Sequence, residues 1–214
     1  MIKAIIFDMD GTMVNTEEMW GDVSRKLAAH HGSTFDEKVW VQMMGKKDYE
    51  SLSAFKEYFH LDTSVEELIR VRREMILADA SIVKVNEGLY ELLDLADHLS
   101  IKKAVATSSF REFTDKILSS FDLRKRFDVV VTGDDVVLSK PDPAIFLEAA
   151  KRLEVIPSAC LVLEDAQNGV EAAYRAGMRV FAIPHDASKH HDFSKATKVL
   201  SSMLEVDETA LGLL

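Results

Sequence analysis

The sequence has 214 residues, enough for one large domain or for a domain with a smaller insert. Its composition, 47% hydrophobic and 29% charged, is that of a folded globular protein and excludes a disordered chain, and its net charge of −10 opposes broad contact with nucleic acid or with anionic membranes. Cys160 is the only cysteine, which excludes an intrachain disulfide. These properties predict a cytoplasmic monomer without nucleic-acid or membrane partners.

Five short apolar runs, each followed by polar residues, predict the strands of one sheet. They cover residues 3–7, 101–106, 127–131, 159–163 and 179–183. Runs of this kind are typical of strands that are buried on both faces, and helical patterns lie between most of them. Repeated strand–helix units predict an α/β fold, in which helices cover both faces of a parallel sheet.

Residues 14–85 interrupt this pattern. Their apolar residues recur at helical spacing, as in Trp20 and Val23, and no run in this segment predicts a buried strand. We therefore predict a core domain made of residues 1–13 and 86–214, and an inserted α-helical cap domain made of residues 14–85.

Two pairs of acidic residues follow predicted strands. Asp8 and Asp10 come directly after the first apolar run, and Glu164 and Asp165 come after the fourth. Because ligands of an open parallel sheet gather at the carboxyl ends of its strands, we expect these four carboxylates to converge. Hard oxygen ligands suit Mg²⁺, so the two pairs predict a magnesium site. Taken alone, an Asp-x-Asp pair is more typical of a turn that caps a helix.

Hydroxyl and ammonium groups are placed to complete a phosphate site. Thr107, Ser108 and Ser109 follow the second apolar run and offer hydroxyls and backbone N–H groups near a helix start, where an anion is favoured. Their alternative role is to cap a helix that begins at Arg111, which we expect one of them to do in addition. Lys140 lies ahead of a predicted helix, is held by the following Pro141 and Pro143, and can offer an ammonium to a phosphoryl oxygen. The alternative is a solvated surface lysine.

These groups support phosphoryl transfer through a covalent intermediate. The Asp8 carboxylate is already deprotonated at neutral pH, so it can attack phosphorus without a separate base and form an aspartyl-phosphate. Asp10 is placed to protonate the leaving oxygen and then to deprotonate the hydrolytic water. Such general acid–base catalysis typically raises the rate by about 10²–10⁴-fold. Mg²⁺ would reduce the repulsion between the carboxylate and the phosphate.

Four motifs of the chain resemble those of the haloacid dehalogenase superfamily. In chain order they are residues 8–12 (DMDGT), 105–109 (VATSS), 139–143 (SKPDP) and 163–173 (LEDAQNGVEAA). The resemblance covers essentially the whole chain. It implies a Rossmann-like core and a small helical cap that closes over the site.

The resemblance also implies a role for individual residues. Asp8 corresponds to the nucleophile and Asp10 to the acid–base residue, while Thr107 and Lys140 correspond to the groups that bind phosphate. The implied metal ligands are Asp8, the backbone carbonyl of Asp10, Asp165 and Glu164.

Within the superfamily, the chain resembles the branch of the β-phosphoglucomutases and the pseudouridine-5′-phosphatases. Substrate choice in such enzymes lies with the cap, in which Gly45, Lys46 and Lys47 are our candidates for substrate-binding residues. Their alternative is a glycine turn with two solvated lysines. Mutases carry a serine–arginine pair where this chain has Lys47 and Asp48, which disfavours a mutase.

The sequence thus predicts a Mg²⁺-dependent phosphatase that hydrolyses a small phosphorylated metabolite, such as a sugar phosphate or a nucleoside monophosphate. A β-phosphoglucomutase-like sugar phosphomutase is the alternative enzyme. An alternative from another class is a signalling receiver module, in which an aspartate is phosphorylated to switch a partner. The helical insert and Asp10 have no use in such a module.

Overall fold

The computed structural model describes residues 1–36, 38–39, 43 and 46–212. It divides into two compact units. The smaller unit is made of Thr16–Val83, and the larger unit is made of Met1–Asn15 together with Lys84–Leu214. The larger unit contains all the described strands, which are β1 Ala4–Phe7, β2 Val14–Asn15, β3 Lys84–Val85, β4 Lys102–Ala106, β5 Val129–Val131, β6 Cys160–Glu164, β7 Arg179–Ala182 and β8 Lys198–Val199.

The smaller unit is helical. Its described helices of more than one turn are α1 Glu17–His30, α2 Asp48–Phe59 and α3 Val65–Asp79. Helix α3 packs on both α1 and α2. The side chains between the helices form an apolar core that includes Leu27, Leu52, Phe55 and Leu68, all fully buried. This core explains the apolar spacing of the segment, because residues three and four apart share one helix face.

A six-stranded parallel sheet forms the centre of the larger unit. Its strand order is β5-β4-β1-β6-β7-β8. Phe7 at the end of β1 is level with Val105 of β4 and with Leu163 of β6. The residues that follow these three strands therefore emerge at the same edge of the sheet.

Helices cover both faces of this sheet, and they are α4 Leu89–His98, α5 Arg111–Ser120, α6 Ala144–Leu153 and α7 Gln167–Arg175. On one face, alternate residues of β1 such as Ala4 and Ile6 pack in a core with α6 and α7. On the other face, Phe7 meets Phe127 edge to face with ring centroids 5.5 Å apart, and α4 packs on β4. None of the described helices is both long enough and apolar enough to cross a membrane.

The predicted fold class is confirmed. Each of the five predicted strands is present within two residues of its predicted limits, and the sheet is parallel with helices on both faces. Strand β8 was missed. Its two residues, Lys198 and Val199, are both exposed, so they carry no apolar run that a sequence pattern could reveal.

The predicted limits of the insert differ slightly from the division that the structure shows. Strands β2 and β3 pair antiparallel, with Val14 opposite Val85, where the chain leaves the larger unit and re-enters it. The prediction placed both strands in the insert, whereas the structure groups them with the larger unit. Strands of two residues are too short to show an alternating pattern, so their pairing was not predictable.

Candidate active site

A buried ion network lies at the carboxyl edge of the sheet. The ammonium of Lys140 is 2.5 Å from Asp8 Oδ1 and 2.6 Å from Glu164 Oε1. Asp8 follows β1 and Glu164 ends β6, so these neighbouring strands place the two acids side by side. All three side chains are buried, and the ammonium also lies 5.0 Å from the ring centroid of Phe146. Lys140 is therefore not the solvated surface lysine that was its alternative.

Burial shapes the protonation of this network. Burial raises the pKa of the Asp8 carboxyl well above its ordinary value; Lys140 opposes this rise, while Glu164 and Asp165 add to it. Burial also raises the pKa of Glu164, again against Lys140. Burial lowers the pKa of Lys140, but Asp8 and Glu164 outweigh it, so this pKa lies above its usual range. Lys140 is therefore harder to deprotonate than a free lysine, and Asp8 and Glu164 are harder to ionise than free carboxyl groups.

Asp165 completes a cluster of three carboxylates. One oxygen each from Asp8, Glu164 and Asp165 lies within 4.8 Å of the others. Asp165 Oδ1 accepts a hydrogen bond of 3.1 Å from the Thr12 hydroxyl, and its Oδ2 lies 2.9 Å from His185 Nε2. Lys140 contacts two of the three carboxylates, Asp8 and Glu164, so when all three are ionised its single positive charge leaves two negative charges uncompensated. Such a set of oxygen donors fits a hard divalent cation such as Mg²⁺.

Asp10 faces the hydroxyl residues that follow β4. Its Oδ2 accepts hydrogen bonds from Thr107 Oγ1, at 3.0 Å, and from Ser109 Oγ, at 2.8 Å. Thr107 Oγ1 in turn accepts from the Ser109 backbone N–H at 3.0 Å. The Asp10 carboxylate is not part of the three-carboxylate cluster among the described residues, although it is joined to the same loop as Asp8. The structure thus places the candidate acid–base residue beside the candidate phosphate ligands.

The expectation that Thr107, Ser108 or Ser109 caps helix α5 was wrong. The residue before this helix is Phe110, which provides no side-chain cap, and the backbone N–H of Arg111 donates instead to Asp134 Oδ2 at 2.8 Å. The hydroxyls of Thr107 and Ser109 do not cap the helix, because they turn towards Asp10.

The other predicted site residues are Ser108 and the three residues of the predicted cap. Ser108 is half-buried, and its carbonyl oxygen lies so close to Gly133 that a Cβ there would be only 2.3 Å away. Lys46 is exposed in the smaller unit, and Lys47 is half-buried directly before α2. Gly45 lies outside the residues that the structure describes. The substrate-binding role of these cap residues stays a prediction.

Two polar residues of the site were not predicted from the sequence. His185 contacts Asp165, as described above, and Asn86 donates from Nδ2 to the carbonyl oxygens of Gly11 and Thr12 at 2.7 and 2.8 Å. Asn86 thereby fixes the loop that carries Asp8 and Asp10. Both residues are single polar side chains in loops, and nothing in the local sequence indicates their distant partners.

Gly169 of α7 packs directly against Glu164, and this contact predicts the effect of a substitution. An added Cβ would lie 1.7 Å from Glu164 Oε1, while Lys140 and the Ala166 backbone N–H hold that carboxylate in place. We expect Gly169→Ala to lower the free energy of unfolding by about 1–3 kcal/mol through overpacking, although alanine favours a helix. Thermal or denaturant unfolding measures the change.

Gly21→Ala is the matched control for that substitution. Gly21 also lies inside a helix, α1, but the nearest atom to its added Cβ is 3.4 Å away on Arg25. We expect this variant to gain up to about 1 kcal/mol, the difference in helix propensity. Equal stabilisation of both variants would show that Glu164 is not held as the structure indicates.

Known proteins are similar to this chain over most of its length. The family model described as haloacid dehalogenase-like hydrolase matches residues 5–183. The phosphorylated carbohydrates phosphatase of Thermotoga maritima is 36% identical over 186 residues, which cover 86% of each chain. A provisionally assigned pseudouridine-5′-phosphatase of Drosophila melanogaster is 34% identical over 221 residues, covering 97% of this chain and 93% of that one.

A solved structure shares the fold. The crystal structure of CbbY from Rhodobacter sphaeroides, in complex with phosphate, is 28% identical, covers 96% of each chain and has a TM-score of 0.87. A receiver module does not account for a match of this extent to an enzyme family. The chain belongs to the haloacid dehalogenase-like hydrolase family and is a phosphoric monoester hydrolase.

Proposed function

We propose that the protein is a Mg²⁺-dependent phosphatase that hydrolyses a small phosphomonoester through an aspartyl-phosphate on Asp8. The observation that carries this proposal is the buried contact of Asp8 with Lys140, beside the carboxylates of Glu164 and Asp165. The nucleophilic carboxylate of Asp8 is thereby held next to one cation, the Lys140 ammonium. The remaining negative charge of the cluster suits a second cation, Mg²⁺.

In this proposal Asp8 is the nucleophile and Asp10 is the general acid and base. The Asp8 carboxylate attacks phosphorus, the bond from phosphorus to the leaving oxygen breaks, and the Asp10 carboxyl gives its proton to that oxygen. In the second half-reaction, Asp10 takes a proton from a water molecule, and the water oxygen attacks phosphorus. The bond between phosphorus and the Asp8 oxygen breaks, which releases phosphate and restores the Asp8 carboxylate. The hydroxyls of Thr107 and Ser109, which contact Asp10, donate to the phosphoryl oxygens in this proposal.

Asp8, Glu164 and Asp165 are the residues that would hold the cation, together with the backbone carbonyl of Asp10. Bound there, Mg²⁺ would supply positive charge against the repulsion between the Asp8 carboxylate and the phosphate. Lys140 supplies part of this positive charge and donates hydrogen bonds to Asp8 and Glu164. The Ser108 hydroxyl and backbone are further phosphate ligands in this proposal.

Similar proteins and the predicted cap support our proposal for the substrate class. A phosphatase of phosphorylated carbohydrates and a provisional phosphatase of pseudouridine 5′-phosphate are similar to this chain, so we propose a sugar phosphate or a nucleoside monophosphate as substrate. In this proposal residues Thr16–Val83 act as the cap that selects the leaving group, and Gly45, Lys46 and Lys47 contact it.

A panel of phosphorylated metabolites tests the activity. Purified protein with Mg²⁺ is expected to release inorganic phosphate from one or a few sugar phosphates or nucleoside monophosphates. EDTA should abolish the release and added Mg²⁺ should restore it, since removal of the cation leaves the acids uncompensated. Full activity in EDTA would contradict the metal-dependent mechanism, and no phosphate release from any monoester would contradict the proposed function.

A sugar phosphomutase is the second candidate, since it uses the same core groups. A specific contact in the smaller unit disfavours it. Asp48 stands where mutases have an arginine, and its carboxylate binds Arg72 and Arg73 of α3 at 3.5 and 2.7 Å. Incubation with β-glucose 1-phosphate and a bisphosphate primer separates the candidates. Glucose 6-phosphate as the main product would favour the mutase, and inorganic phosphate the phosphatase.

A further inference from the structure

His185 lies in the loop after β7, outside the four motifs, and its Nε2 is 2.9 Å from Asp165 Oδ2. We propose that His185 is a positioning residue, which orients the Asp165 carboxylate for a divalent cation through a hydrogen bond. The inference rests on the metal site of the proposed function and adds to it a residue that sequence motifs do not reveal.

The hydrogen bonds of the ring determine which nitrogen carries the proton. The backbone N–H of Ala187 donates to His185 Nδ1 at 3.3 Å. A ring nitrogen that accepts a hydrogen bond carries no proton, so the neutral imidazole has its hydrogen on Nε2. Nε2 therefore donates to Asp165 Oδ2. Such a donor orients a carboxylate for a cation, as the hydrogen-bond partners of metal ligands do.

The loop is built to hold the ring in this position. The backbone N–H of His185 donates to Ser188 Oγ at 3.1 Å, and its carbonyl accepts from the N–H groups of Ser188 and Lys189 at 3.0 and 2.9 Å. Ser188 is fully buried. The backbone of His185 is thus fixed on both sides, and Ala187 fixes the rotation of the ring.

Asp165 is held from its other side as well. The Thr12 hydroxyl donates to Oδ1 at 3.1 Å, so each carboxylate oxygen receives one hydrogen-bond donor. Gly11 closes the remaining space, because a Cβ at this residue would lie 2.6 Å from Asp165 Oδ2 and 3.0 Å from His185 Nε2. Asp8 and Glu164, by contrast, share the ammonium of Lys140. The Asp165 carboxylate is therefore held in a fixed orientation.

Mg²⁺ binding without substrate tests the role of His185 directly. The dissociation constant is measured by titration calorimetry on chelator-treated protein, with MgCl₂ as the only ligand. His185→Leu removes the donor at similar volume, and we expect it to weaken binding by about 10–100-fold, as is typical when a hydrogen-bond partner of a metal ligand is lost. His185→Gln keeps an N–H donor of similar reach and should recover most of the loss.

Two further variants serve as a control and as a second test of the lost donor. His190→Leu removes an exposed histidine of the same loop and should bind Mg²⁺ as the native protein does. His185→Asn is polar but too short to reach Asp165, so it should weaken binding like His185→Leu, which provides a second variant if the leucine does not fold. Thermal unfolding in EDTA shows that each variant is folded before it is titrated.

The outcomes separate this inference from the proposed function. Native affinity in His185→Leu or His185→Asn would overturn the inference, as would a glutamine variant as weak as the leucine variant, because the donor would then not matter. If weakened binding is found but no phosphomonoester is hydrolysed, the inference stands and the proposed function fails. Absence of Mg²⁺ binding to the native protein would overturn both.

Discussion

Asp8→Asn is expected to abolish phosphatase activity while the protein remains folded. An amide oxygen is a far weaker nucleophile than a carboxylate, so hydrolysis of an aryl phosphate should fall by at least about 10³-fold. The fold should persist, because the amide oxygen can still accept the hydrogen bond that Asp8 Oδ1 now accepts from Lys140. Steady-state kinetics and thermal unfolding measure the two quantities.

Asp94→Asn is the control for the loss of a carboxylate. Asp94 is exposed on α4 of the same unit and forms an ion pair with Arg126 at 2.6 Å. An exposed pair contributes about 0–1 kcal/mol, so this variant should keep native activity and almost native stability. Turnover of Asp8→Asn at a rate near that of the control would refute the assignment of Asp8 as nucleophile.

Lys140→Met is expected to have the largest effect on stability in the absence of metal. Lys140 is paired with two buried carboxylates, Asp8 and Glu164, and its removal leaves them without an ammonium. Loss of one partner from a buried ion pair typically costs about 3–5 kcal/mol, so the free energy of unfolding measured in EDTA should fall by that order. Denaturant unfolding gives the value.

Magnesium should stabilise Lys140→Met more than it stabilises the native protein, because the variant carries one more uncompensated charge at the cluster. Lys103→Met is the matched control. Lys103 is also buried, but its partner Asp97 is half exposed and also pairs with Arg126, at 2.9 Å. This variant should lose about 1 kcal/mol or less from its ion pair and should respond to Mg²⁺ like the native protein. Equal losses in both lysine variants would mean that the acidic cluster does not depend on Lys140.

The convergence of the acids was predictable because it follows from a topological rule. Strands of a parallel sheet end at one edge, so Asp8 and Glu164 had to be neighbours once β1 and β6 were adjacent. The same rule brought Thr107 to Asp10. Apolar runs buried on both faces reveal such strands, whereas the exposed two-residue strand β8 gave no signal.

The finer contacts were not predictable, because they depend on which loops meet in three dimensions. Asp165 is oriented by Thr12 and His185, which lie 153 residues before it and 20 residues after it. The donation of the Ser109 hydroxyl to Asp10 was not predicted either, while its role towards phosphate stays a prediction. Which polar side chains pair at a functional site depends on the loops that bring them together, and a sequence does not specify those pairs.

Chemical trapping of the intermediate tests the role of Asp8 most directly. In Asp10→Asn, p-nitrophenyl phosphate should still phosphorylate the protein, because its leaving group needs no proton, while the slowed hydrolysis step lets the adduct accumulate. After acid quenching, borohydride reduction and peptide mass spectrometry, we expect the aspartyl-phosphate to be found as homoserine at position 8, in step with a burst of nitrophenol. A burst without a modified residue, or an adduct at any other residue, would contradict nucleophilic attack by Asp8.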